Sequence, residues 1–219
     1  MTRRPLSSRP LATVAPEAVQ WLWRHRIPLG EVTILQGDPG QGKGHVVLDV
    51  AARLTTGRPL PGEDAPQPLA QVIWLANEDD AARALRPRLD AAGGDAALFH
   101  IVDDGGVPIV FPTDTSALAE LIGRRNRECP DQPVRLVVVD PLGEFKDRNL
   151  RIIDDAIRQC MEALAAVARE HNIAVVVVSH LNKTSSQRVQ SALHRGGGNL
   201  SGIAGVVRSV FMVDRKSVV

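Results

Sequence analysis

The sequence predicts an α/β fold with a largely parallel sheet and helices on both faces, and three observations predict it. Short apolar runs alternate with segments whose apolar residues recur at helical spacing. The runs are almost continuously apolar, as strands covered on both faces must be. Several end in polar residues, as strands do at the edge where such sheets bind ligands.

In chain order, Met1 to Val14 is read as a basic, solvated, disordered tail, with a transit peptide as the alternative. Residues 15–219 are expected to form a single domain. Within it, residues 15–30 carry Val19, Trp21, Leu22 and Trp23 ahead of Pro28 and Gly30, and are expected to pack as a lid on the core edge. A nucleotide-base platform or a subunit contact is open for the same tryptophans. Val32 to Gln36 is the first strand, and Lys43 to Thr56 the first helix, ended by Gly57, with Val46, Val47, Val50 and Leu54 expected inward. Arg58 to Pro68, rich in Pro, Gly and acids, is a surface loop.

Gln71 to Ala76 is the second strand, running into Asn77-Glu78-Asp79-Asp80. Asp79 or Asp80 is placed to cap the next helix, in which Pro87 breaks regularity. Leu98 to Val102 is a third strand, and Ser116 to Arg127 a helix with Leu118, Leu121 and Ile122 inward. Arg135 to Asp140 is a fourth strand with an acid at its tip. Ile153, Ile157, Met161, Leu164 and Ala168 share one face of a long helix, and Ile173 to Val178 is a fifth strand ending at Ser179-His180. Residues 182–205 form a flexible, basic, Gly-rich loop before a last strand, Val206 to Val213.

Composition narrows the function classes. At 219 residues, 44% hydrophobic and 23% charged, the chain has the make-up of a globular domain. A net charge of +1 makes no case for nucleic acid by itself. From Leu181 onward, however, Lys183, Arg188, Arg195, Arg208, Arg215 and Lys216 face only Asp214. Cys129 and Cys160 are too few and too far apart for a disulfide framework or a Cys metal site, which suits a reducing, cytoplasmic setting. No apolar stretch is long enough to span a membrane.

The chemistry centres on Gly37-Asp38-Pro39-Gly40-Gln41-Gly42-Lys43-Gly44. A strand feeding a glycine-rich turn that opens a helix aims backbone N–H groups and a helix N-terminus at one point, where a polyphosphate can sit. The spacing G-x-x-x-x-G-K fits, and a lysine there stands out because the chain has only four. The Ser or Thr hydroxyl that should follow to ligand Mg²⁺ is missing, since the position is Gly44. His45 comes next on the helix and is counted with the phosphate loop, not as a metal ligand. Asp140 at a strand tip suits Mg²⁺ held through water, or merely caps the turn into Pro141. Glu78 suits a general base, or is a solvated loop acid. His180 suits a γ-phosphate sensor, or is structural.

Together these residues resemble the RecA-like ATPases of the RepA-type replicative helicase group, AAA-family proteins of plasmids and phages. The matching stretches are Trp21-Leu22-Trp23 through Pro28 to Gly40, Trp74 to Asp79, Val139 to Leu142, Ser179 to Lys183, and Arg195 to Arg208. The resemblance implies a RecA-like P-loop core using ATP and Mg²⁺, with Lys43 on phosphate, Asp140 on the metal, Glu78 as catalytic carboxylate and His180 as sensor. It implies a homo-oligomeric ring, a hexamer, with Arg208 as an arginine finger for the neighbouring protomer. It also implies single-stranded DNA on a loop bearing Lys183, Arg188 and Arg195, a role in replication or recombination, and replication proteins as partners. With the chain stopping soon after the last strand, a motor core, minimal or truncated, is expected. Gly44 favours an alternative, a nucleotide-gated DNA-binding or loading protein that hydrolyses ATP weakly or not at all. A P-loop small-molecule kinase is a third reading, for which the Gly-rich segment and Arg208 have no evident use.

Overall fold

A computed structural model describes residues 7–76, 80–103, 105–145, 153–180 and 206–214, with Ile153, Asp154 and His180 described through their backbone. A two-stranded hairpin, β1 (Trp21–Trp23) and β2 (Ile27–Pro28), precedes the main sheet. The sheet comprises β3 (Val32–Gly37), β4 (Gln71–Ala76), β5 (Phe99–Ile101), β6 (Val134–Asp140), β7 (Ala174–His180) and β8 (Ser209–Met212). Its spatial order is β5-β4-β6-β7-β3-β8, and every pairing among them is parallel. Its central strands are buried along almost their whole length, which is why they read as continuous apolar runs.

Helices cover both faces. Helix α1 (Lys43–Thr56) and α2 (Arg86–Ala91) lie on one, where Val47, Val50, Leu54 and Leu89 meet Leu35, Val72, Trp74 and Val176. Helices α3 (Thr115–Glu128) and α4 (Ile153–His171) lie on the other, where Ile122, Met161 and Leu164 meet Ile34, Ile73, Val137 and Val175. Alternate strand residues therefore divide between two cores. Gly57 closes α1 in the left-handed conformation at φ 69°, its N–H donating to the Arg53 carbonyl.

Three local expectations are corrected. Val46 is 40% exposed rather than inward, because the buried stripe of α1 runs through Lys43, Val47, Val50 and Leu54, and Val46 stands at its margin beside a cavity. Leu121 is only half-buried beside the fully buried Ile122. The third and last strands are shorter than their apolar runs, and β8 begins at Ser209 because Val206 and Val207 pack against the α4-side core as a turn. Asp80 caps the helix after β4, accepting from the N–H groups of Ala82 and Arg83 at 2.9 and 2.8 Å. The first turn, Ala81–Leu85, is a π-turn leading into α2, which accommodates Pro87 at the start of the regular helix.

At the N-terminal edge of the sheet, His100 Nε2 lies 2.8 Å from Gln71 Oε1, while Gln71 Nε2 donates to the Gln132 carbonyl at 2.6 Å. The amide oxygen is thus the acceptor, and Nε2 carries the imidazole proton. Burial, and then the Arg125 guanidinium, hold the His100 pKa below its usual 6.5, with Glu128 opposing. Since the unfolded chain takes up this proton first, stability is complete above pH 6.5 and falls as pH drops below that value. Urea unfolding at pH 7.5 and 5.5 checks this: His100→Gln, which keeps a donor toward Gln71, is expected to lose less stability across that interval than the parent.

Candidate nucleotide site

The loop after β3 is built for a ligand that brings acceptors. Gly37 must lack a side chain, because a Cβ there would overlap the Val213 carbonyl, which follows β8 and lies against the loop's first residue. Val213 is fixed there by donating its N–H to the Gln36 carbonyl at 2.8 Å. Gly40 and Gly42 turn the chain at φ 75° and 91°, and among the described residues a Cβ on either would meet nothing within 4 Å.

Gly42 then opens α1 with no side-chain cap, and the helix has no acidic residue in its first turn. The first amides of a helix lack intrahelical acceptors, and the positive end of its dipole lies there, so this end is left for an anion. Lys43, 4% exposed, donates its ammonium to the Gly37 and Asp38 carbonyls, both at 2.9 Å. These bonds hold the lysine across the mouth of the loop. His45 is exposed.

Strand order brings the remaining tips into a row. Asp140 stands opposite Ala76 across the β6–β4 pair, and His180 opposite Gly37 across the β7–β3 pair. Because β7 lies between β3 and β6, the edge reads Ala76, Asp140, His180, Gly37. A Cβ built on Gly44 would sit 3.6 Å from Asp140 Oδ2. The carboxylate thus faces the bare Cα of the position where the motif calls for a hydroxyl. A carboxylate next to an anion-binding helix end fits Mg²⁺, which keeps several waters and takes its other ligands from phosphates.

Arg208 is not part of this row. Its N–H donates to the Val32 carbonyl at 3.1 Å, and it is exposed at the start of β8, the opposite edge of the sheet. From Val32 to Gly37 the strand rises five residues, roughly 16 Å, so Arg208 does not serve its own loop. Glu78, Lys183, Arg188 and Arg195 lie outside the described residues, as does the side chain of His180.

The structure adds features that motif reading passed over. A cavity of about 170 Å³ borders α1 between the hairpin and the end of β8. Trp23, Arg26, Thr33, Val46, Phe211 and Val213 are among its walls. Its signals in the sequence are Trp23, for which a base platform is open, and Thr33, a hydroxyl inside an apolar run.

A family model described as an AAA domain matches residues 3–186, most of the chain. No curated protein matches it. Among the described residues no helix is long and apolar enough to cross a membrane.

Proposed function

The chain belongs to the AAA domain family, a family of nucleotide-binding P-loop ATPases that generally use ATP and Mg²⁺, and on that premise we propose that it is the RecA-like motor of a DNA-dependent ATPase. The observation that carries this reading is the 3.6 Å approach of the Gly44 position to Asp140 at the open end of α1. Two features 96 residues apart in the sequence meet where phosphate and cation have to meet.

In this reading Lys43 exchanges the Gly37 and Asp38 carbonyls for the β- and γ-phosphate oxygens, and Asp140 orients the waters of the cation. Mg²⁺, when bound, neutralises charge developing on the transferred phosphoryl group. Glu78, two residues past the tip of β4, takes the proton of the attacking water, and His180 hydrogen-bonds the γ-phosphate. Arg208, remote from its own loop, serves the neighbouring protomer of a ring, a hexamer. The resemblance to RepA-type replicative helicases supports single-stranded DNA as the track, held by Lys183, Arg188 and Arg195 of the 182–205 loop, in replication or recombination and with replication proteins as partners.

ATP turnover measured with and without single-stranded DNA tests the reading. DNA is expected to raise the rate at least tenfold, and Glu78→Ala to lower the stimulated rate by about a hundredfold or more. Nucleotide binding with no turnover, even on DNA, would leave the second reading, a nucleotide-gated DNA-binding or loading protein. That reading is favoured by one feature, the absence of a hydroxyl at Gly44 facing Asp140.

A further inference from the structure

We propose that the cavity beside α1 seats the base of the nucleotide and selects adenine over guanine, an inference that rests on the nucleotide reading of the neighbouring loop. Position is the first argument. Val46 follows Lys43 by three residues, and Val213, another wall, carries the carbonyl that lies against Gly37. The cavity therefore adjoins the phosphate loop from both sides.

Size and shape are the second argument. A dry apolar cavity of about 150 Å³ takes up benzene, and this one, at about 170 Å³, can receive a flat ring system. Two of its walls are preset. The Trp23 indole is anchored by donating Nε1–H to the Pro61 carbonyl at 3.1 Å, and the Arg26 guanidinium lies 4.8 Å above its centre. An indole and a guanidinium held in this way suit stacking against a base.

The third argument is chemical. Thr33, which is 1% exposed and lines the cavity, has a buried Oγ1 with no hydrogen-bond partner among the described residues. A buried hydroxyl without a partner costs stability, whereas one that gains a partner on binding contributes to affinity. Adenine offers a ring nitrogen that can accept from this hydroxyl and an exocyclic amine that can donate to it. Guanine brings a carbonyl, a ring N–H and an amine into walls that are otherwise mostly apolar, and leaves more of them unpaired.

Calorimetric titration of the full chain with ATP, GTP and inorganic tripolyphosphate, each with Mg²⁺, tests this. ATP is expected to bind at least about tenfold more tightly than GTP. Val46→Trp, at a position exposed enough to tolerate a larger side chain, fills the cavity. It is expected to weaken ATP about tenfold or more while leaving tripolyphosphate within about twofold. Thr33→Val is expected to raise the melting temperature of the ligand-free protein while weakening ATP binding, a pair of effects that a purely structural threonine would not produce.

Equal affinity for ATP and GTP, no effect of Val46→Trp on ATP, or a lowered melting temperature for ligand-free Thr33→Val each overturns the proposal while the ATPase reading stands. If neither ATP nor tripolyphosphate binds the parent protein, the nucleotide reading falls and this inference with it.

Discussion

Gly44→Ser is expected to raise Mg²⁺-dependent ATP turnover at least tenfold, equivalent to about 1.4 kcal/mol or more off the barrier. The substitution is sterically allowed. Gly44 lies in the first turn of α1, its φ is not positive, and the added Cβ makes an ordinary contact at 3.6 Å with Asp140 Oδ2. A serine hydroxyl there would lie beside Asp140 and would supply the cation ligand that the motif calls for at this position. Gly44→Ala is the control, since it fills the same space and has a similar effect on the helix without adding an oxygen. A gain for Ser and none for Ala assigns the effect to the hydroxyl. Equal rates for the parent and both variants would mean that the cation site is complete without it, and that slow turnover, if found, has another source.

The distinction between what sequence and structure contribute shows in this same pair of residues. Strands β3, β4, β6 and β7 and helix α1 are legible within a residue or two, because continuous apolar runs, helical spacing and a terminal glycine are local signals. That Asp140 faces Gly44 is not local. It depends on β7 standing between β3 and β6, an order that no stretch of residues encodes. Val46 differs from the expectation because apolar spacing marks a helix face but not the margin at which that face leaves the core for a cavity. The Gly37–Val213 approach and the cavity at Thr33 depend on β8 returning beside the first strand of the sheet. Arg208 is the converse case. Its place at a strand start is legible, and only the register with Val32 shows that this start is the edge remote from its own phosphate loop.

That remoteness leads to the second large effect. Arg208→Ala is expected to lower DNA-stimulated turnover by about a thousandfold, the magnitude of an arginine acting on a γ-phosphate in trans, while ATP affinity changes much less. Lys43→Ala is expected to abolish turnover as well, but by loss of phosphate binding in its own loop. The two variants differ when mixed. If each active site joins the loop of one protomer to the Arg208 of the next, an interface pairing an Arg208→Ala loop with a Lys43→Ala neighbour contains both intact groups. Random assembly of equal amounts makes about a quarter of all interfaces competent, so two inactive preparations should together recover activity. Recovery requires assembly, in a ring or a filament, with a site shared between neighbouring subunits. If the mixture stays inactive although the variants co-assemble, Arg208 is a surface charge at the start of β8, and its distance from the loop has no catalytic meaning.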